Sequence, residues 1–79
     1  MELKILYFGM IAEATNCNEE EISLQSGSTV EQLIHKLNNK YHKLKDLSFN
    51  IAIDKEISDH STLLNANSEI ALLPPFAGG

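Results

Sequence analysis

Seventy-nine residues allow one domain with a small core, because a chain this short buries only about 60–65% of its unfolded surface. Its composition, 43% apolar and 22% charged, is that of a soluble globular protein; no apolar run approaches the roughly 20 residues of a membrane span, and Met1-Glu2-Leu3-Lys4-Ile5-Leu6 turns polar too soon for a signal peptide, so a cytoplasmic chain is expected. Eleven acidic against six basic side chains, a net charge of −5 and no arginine argue against nucleic acid, and the single cysteine excludes an internal disulfide.

Residues 3–8 alternate as a strand, with Leu3, Ile5 and Tyr7 on one face and Lys4, Leu6 and Phe8 on the other; Gly9 ends it. Met10–Ala14 predicts a short helical turn closing at Asn16, and Glu19–Leu24 a second strand. The run Glu19-Glu20-Glu21 reads as a solvated strand start rather than a metal site. The main helix follows Gly27: Thr29 with Gln32 makes a capping box, with Ser28 and Glu31 as an alternative one residue earlier. Val30, Leu33, Ile34, Leu37 and Tyr41 fall on one helical stripe. Phe49–Ile53 predicts a third strand, Asp54-Lys55 a two-residue turn, and Glu56–Ser58 a short fourth strand. Thr62-Leu63-Leu64 reads as one helical turn, Asn65–Ser68 as a turn, and Glu69–Leu73 as the last strand.

One helix covers only one face of such a sheet. The opposite face should be polar, yet the period-2 count turns Leu6, Phe8, Ala52, Ala71 and Leu73 outward, with Ile57 beside them. Contiguous exposed apolar surface on a small domain marks a partner site. Lysines stand at 4, 36, 40, 43, 45 and 55 and nowhere later, so a partner with a basic docking surface is also expected.

The sequence closes on Leu73-Pro74-Pro75-Phe76-Ala77-Gly78-Gly79. The prolines hold φ near −65°, remove two donors and stop the strand. Glycines without a Cβ fit a channel too narrow for side chains. Six residues from Pro74 reach roughly 20 Å when extended. The expectation is a folded body, residues 1–73, and a flexible tail, residues 74–79, that delivers a terminal carboxylate into a partner's active site. No side-chain constellation competes with it. Cys17 lies in a polar stretch without a basic neighbour, and His35, His42 and His60 lack metal-ligand spacing and read as surface residues. A self-contained enzyme is not expected, and any reaction belongs at Gly79 with the machinery supplied by others.

Three segments together resemble a known family, the small sulfur-carrier subunit of molybdopterin synthase, a ubiquitin-like protein of the β-grasp class. They are Leu3-Lys4-Ile5-Leu6-Tyr7-Phe8-Gly9, Ser28-Thr29-Val30-Glu31-Gln32-Leu33, and Asn67 through Gly79 with its Pro-Pro-Phe-Ala-Gly-Gly close. The resemblance implies an α+β β-grasp fold, a mixed sheet of four to five strands with one main helix on one face. It implies that an ATP-dependent adenylating enzyme activates the Gly79 carboxylate as an acyl-adenylate, which sulfur then converts to a thiocarboxylate. The large catalytic subunit then receives the tail and passes sulfur to precursor Z. No bound cofactor is implied. Gly78 keeps the channel clear, and Phe8, Ile57, Leu73, Pro74, Pro75 and Phe76 fall at partner-binding positions. The one departure is the short spacing around Asp54–Asp59, where Ile57 lies. Alternatives within the fold are a carrier for thiamine or another thiolated product; outside it stand an isopeptide-forming protein modifier and a plain interaction domain.

Overall fold

The computed structural model describes residues 1–75. In chain order it contains β1 (Glu2–Tyr7), α1 (Met10–Thr15), β2 (Glu19–Ser23), α2 (Val30–Lys40), a 3-10 helix at His42–Asp46, β3 (Asn50–Ile53), β4 (Glu56–Ile57) and β5 (Ile70–Leu73). The five strands form one sheet in the order β2-β1-β5-β3-β4. β5 lies parallel to β1, and the other neighbours are antiparallel. The last strand therefore sits near the centre of the sheet, beside the first, and Pro74 departs from the middle of the body rather than from an edge.

Alternation decides which face is buried. Leu3, Ile5 and Tyr7 of β1, Ile22 of β2, Ile51 of β3, and Ile70 and Leu72 of β5 meet Val30, Leu33 and Leu37 of α2 in one core. α2 starts where its capping box places it. The Thr29 hydroxyl accepts from the Gln32 N–H, and the Gln32 side-chain oxygen accepts from the Thr29 N–H at 2.7 Å. The Ser28 alternative is not used; its hydroxyl donates to the Gln25 carbonyl at 2.7 Å. Ile11 and Leu44, from the two short helices, close the ends of the core. The 3-10 helix was not expected from the sequence, because its one core side chain, Leu44, leaves no periodicity to read.

The turn at Asp54-Lys55 has φ of 51° and 72°, the two left-handed residues of a type I′ hairpin, whose twist matches that of the flanking strands. Asp54 is fixed further by a pair of bonds to Glu69. Its N–H donates to the Glu69 carbonyl, and its carboxylate accepts from the Glu69 N–H.

Two expectations are corrected. Thr62-Leu63-Leu64 is not a helical turn. The Asp59 carboxylate accepts from the Ser61 N–H and from the Ser61 and Thr62 hydroxyls, which turns the chain back. Leu63 then pairs with Thr29 as an isolated bridge, with Val30 N–H donating to the Thr62 carbonyl and Leu64 N–H to that of Ser28. Those carbonyls and amides are committed across the chain, so no local helix forms. The same hydrogen bonds to Asp59, that from the Ser61 hydroxyl first, hold its carboxyl below the ordinary range.

The glutamate run is solvated only at Glu19 and Glu21. Glu20 is half-buried under α2, where one carboxylate oxygen accepts from the hydroxyls of Tyr7 (2.6 Å) and Tyr41 (2.7 Å) and the other from Lys40 (2.8 Å). Burial alone would raise its pKa, but the bonds from Lys40, Tyr7 and Tyr41 outweigh burial and hold it below the usual carboxylate value. Both tyrosine hydroxyls are pushed up, by burial first and then by the carboxylate they donate to. This cluster ties β1, β2 and the end of α2 together. Glu20 lies two residues before Ile22 and so shares its strand face, but charge at a strand start masked its structural role.

Candidate docking hollow and tail exit

The strand register sets four side chains in a row across the sheet face opposite α2. Leu6 pairs with Ala71, Ala71 with Ala52, and Ala52 with Ile57. Residues paired on neighbouring strands point to the same face. The two central alanines carry only a methyl each, so the middle of the row is sunken, while longer side chains rise around it. The result is a hollow of about 340 Å³ lined by Phe8, Ala52, Lys55, Ile57, Glu69, Ala71 and Leu73. Ala52 and Ala71, 4% and 8% exposed, are its floor; Phe8 and Ile57, 45% and 56% exposed, are walls that keep much of their apolar surface in water. Lys55 and Glu69 put one charge of each sign on the rim.

The outward patch read from the period-2 count is therefore present, and the structure brings Phe8, Ile57 and Leu73 together around it. Ile57, which falls in the segment of irregular spacing, is placed by the hairpin turn, because the turn brings it opposite Ala52. Leu6 is the exception. It is half-buried and borders a neighbouring depression with Lys4, Ala66, Asn67, Ser68 and Glu69. Lys55 and Glu69 were missed as site residues, although the Asp54-Lys55 turn signal held the information that Lys55 stands beside β4.

Leu73 is also the last residue of β5. Pro74 comes next, half-buried, and then Pro75, exposed, so the chain leaves the sheet at the hollow's edge. Pro74 lies against Gly9, the residue after Phe8. Gly9 has φ +58°, and a Cβ there would stand 2.9 Å from Pro74 Cγ. Phe76, Gly78 and Gly79 lie outside the described residues.

A larger hollow of about 550 Å³ lies on the far side of α2, lined by Glu31, Gln32, Ile34, His35, Asn38 and His60. Five of those six side chains are polar, and none adjoins the tail exit, so size does not make it the better docking site. His35, His42 and His60 are exposed, as expected, although the fold brings His35 and His60 to this one hollow. Among the described residues no group of three or more His, Cys, Asp or Glu side chains is placed to hold a metal ion. Cys17 is half-buried and donates to the Thr15 hydroxyl at 3.7 Å. Among the described residues no helix is long and apolar enough to cross a membrane.

A mixed five-stranded sheet with β5 parallel to β1 at its centre and one main helix on one face is the ubiquitin-like β-grasp fold. A molybdopterin converting factor subunit 1 from Pyrococcus furiosus superposes on this chain with a TM-score of 0.88 at 24% identity, over 96% of this chain and 99% of that one. The chain belongs to the ThiS family, whose profile matches residues 5–79. It is 36% identical to the molybdopterin synthase sulfur carrier subunit of Mycobacterium tuberculosis, over 100% of this chain and 99% of that protein. The same fold recurs in the protein–protein complex of subunits 1 and 2 of molybdopterin-converting factor from Helicobacter pylori, with a TM-score of 0.70 at 23% identity and full coverage of both chains.

Proposed function

We propose that this chain is the sulfur carrier of a molybdopterin synthase, bearing sulfur as a thiocarboxylate on Gly79. The observation that carries the reading is the apolar hollow of Phe8, Ile57 and Leu73 at the edge where Pro74 leaves the sheet. On this reading the large synthase subunit covers the hollow and takes residues 74–79 into its active site. Pro75 and Phe76 lie against it, and Gly78 leaves its channel open. Likeness over the full chain to a molybdopterin synthase sulfur carrier subunit supports this acceptor over a thiamine precursor.

The chemistry stems from the poor reactivity of a carboxylate as an acyl donor. The Gly79 carboxylate attacks ATP on a separate adenylating enzyme, releasing pyrophosphate and forming an acyl-adenylate. A sulfide-level donor displaces AMP and leaves the thiocarboxylate. Its sulfur then displaces an oxygen from a carbon of the acceptor, precursor Z, joining carrier and acceptor as a thioester. Water cleaves the bond between that sulfur and the Gly79 carbonyl, which restores the carboxylate and leaves the sulfur on the product. The chain itself contributes no acid or base to these steps; it binds, orients and delivers. The work takes place in the cytoplasm, where the adenylating enzyme finds ATP.

Reconstitution tests the reading. The chain with a pre-formed thiocarboxylate, the large subunit and precursor Z should yield the dithiolene product, and the carrier's mass should return to that of the carboxylate. Loading without any transfer to precursor Z would remove molybdopterin synthesis as the function. Isopeptide conjugates on other proteins in its place would establish the modifier alternative.

A further inference from the structure

We propose that Gly9 is a positioning residue for the tail: its bare Cα seats the Pro74 ring and thereby sets the direction in which the chain leaves the sheet. The inference rests on the reading of Gly79 as the sulfur-bearing end.

Two requirements meet at Gly9, and they are separable. The first is backbone conformation. With φ 58° and ψ −132°, Gly9 sits close to the first central position of a type II′ turn, a region that side chains disfavour. The second is space. A Cβ at Gly9 would stand 2.9 Å from Pro74 Cγ and 3.9 Å from Cδ, where ordinary contact begins at 3.4 Å. Gly27 shows that the first requirement does not bring the second. Its φ is +89°, and a Cβ there would meet nothing within 4 Å. The missing side chain at Gly9 is filled by the ring of the first residue after β5.

That ring is a stiff handle. Proline fixes its own φ, and Pro75 confines the ψ of Pro74 to extended values. Pro74-Pro75 is therefore close to one rigid piece, and a shift of its seat passes to the residues beyond. The five residues after Pro74 span up to about 17 Å when extended, so a partner that draws them into a channel receives them from the starting point and direction that the seat sets. Gly9 also directly follows Phe8, a wall of the hollow. A partner held on that wall thus meets a tail whose starting direction is fixed one residue away. The hollow sets where the partner sits, and Gly9 sets where the tail goes.

The experiment is single-turnover sulfur transfer from pre-formed thiocarboxylate at saturating large subunit, with the dissociation constant measured separately. It uses the full chain, Gly9→Ala, Pro74→Ala and the double variant. Gly9→Ala should bind within about three-fold of wild type but transfer about ten-fold or more slowly, since misplacement of about 1 Å is enough to cost far more than its size suggests. Pro74→Ala, which removes both ring atoms near Gly9, should show a smaller loss of rate. In the double variant the Gly9→Ala change should have no further effect, because the ring it displaces is gone. An equal loss from Gly9→Ala with and without the ring would assign the effect to backbone strain and overturn the proposal, as would a wild-type rate for Gly9→Ala. If Gly9→Ala does not fold, Pro74→Ala is compared with Pro75→Ala, which loses a tail proline but keeps the ring at Gly9: a greater loss of transfer in Pro74→Ala supports the seat, and an equal loss in both, or a wild-type rate for Pro74→Ala, overturns it. Failure of the wild-type thiocarboxylate to transfer any sulfur would instead overturn the functional reading on which the inference rests.

Discussion

Truncating Phe8 to alanine tests whether the hollow is a binding surface. Phe8 keeps 45% of its surface exposed in the free chain. On an aromatic side chain that buries roughly 200 Å² in full, about 90 Å² is left for a partner to cover. At about 25 cal/mol per Å² that area is worth about 2 kcal/mol, or roughly thirty-fold in Kd. The part already covered sets the folding cost. It is about 110 Å² and under about 3 kcal/mol, an upper figure because the denatured chain hides some of its own surface. A domain stable by about 5–15 kcal/mol absorbs that loss at 25 °C. Calorimetric titration against the large synthase subunit measures the first number, and thermal unfolding of the free chain the second. Leu63→Ala is the control. Leu63 is 66% exposed, more than Phe8, but lies outside the hollow. Its truncation should leave Kd unchanged. A Phe8→Ala chain that binds within about two-fold of wild type, or no worse than Leu63→Ala, would refute the assignment of this face, since anchors at the centre of an interface cost about 2 kcal/mol or more.

Three further outcomes are expected. Glu20→Gln removes the charged acceptor shared by Tyr7, Tyr41 and Lys40 and should destabilise the free chain by about 1–3 kcal/mol near neutral pH. Because the folded state holds the Glu20 carboxyl below its ordinary value, that stabilisation is complete above the ordinary carboxylate range and is lost as pH falls through the lowered value. The Tm gap between wild type and variant should close on acidification, and a gap that widened would show the sign to be wrong. Deleting Gly79, or adding one residue after it, should abolish sulfur loading while circular dichroism stays unchanged; full transfer by a stably extended chain would place the sulfur elsewhere. Cys17→Ser, and separately the joint change of His35, His42 and His60 to Gln, should leave loading and transfer within about two-fold of wild type, because none of these side chains adjoins the hollow or the tail exit. A ten-fold loss of loading in Cys17→Ser alone would indicate a persulfide relay through that thiol.

Local chemistry made much of the fold legible. The capping box at Thr29 and Gln32, the two-residue turn at Asp54-Lys55 and the alternation in β1 each depend on neighbours within a turn or a strand, and each stands in the structure; of the helical stripe, Val30, Leu33 and Leu37 are buried, while Ile34 and Tyr41 are only half-buried against the core. The outward face of Phe8, Ala52, Ala71 and Leu73 was readable for the same reason, since a strand's period of two needs no tertiary information. What the sequence could not supply was pairing at a distance. The β1–β5 and β3–β4 registers decide that Ala71 and Ala52 lie side by side and that Ile57 closes the row, turning a patch into a hollow. Thr62–Leu64 lost its predicted helical turn to a bridge with Thr29, and Glu20 became a half-buried acceptor only because Tyr7, Tyr41 and Lys40 converge from other elements. The contact between Gly9 and Pro74 joins residues sixty-five positions apart, and only a parallel β1–β5 pair brings them together. Short-range rules set each element's identity and its faces, whereas contacts between elements far apart in the chain exist only once the sheet has closed.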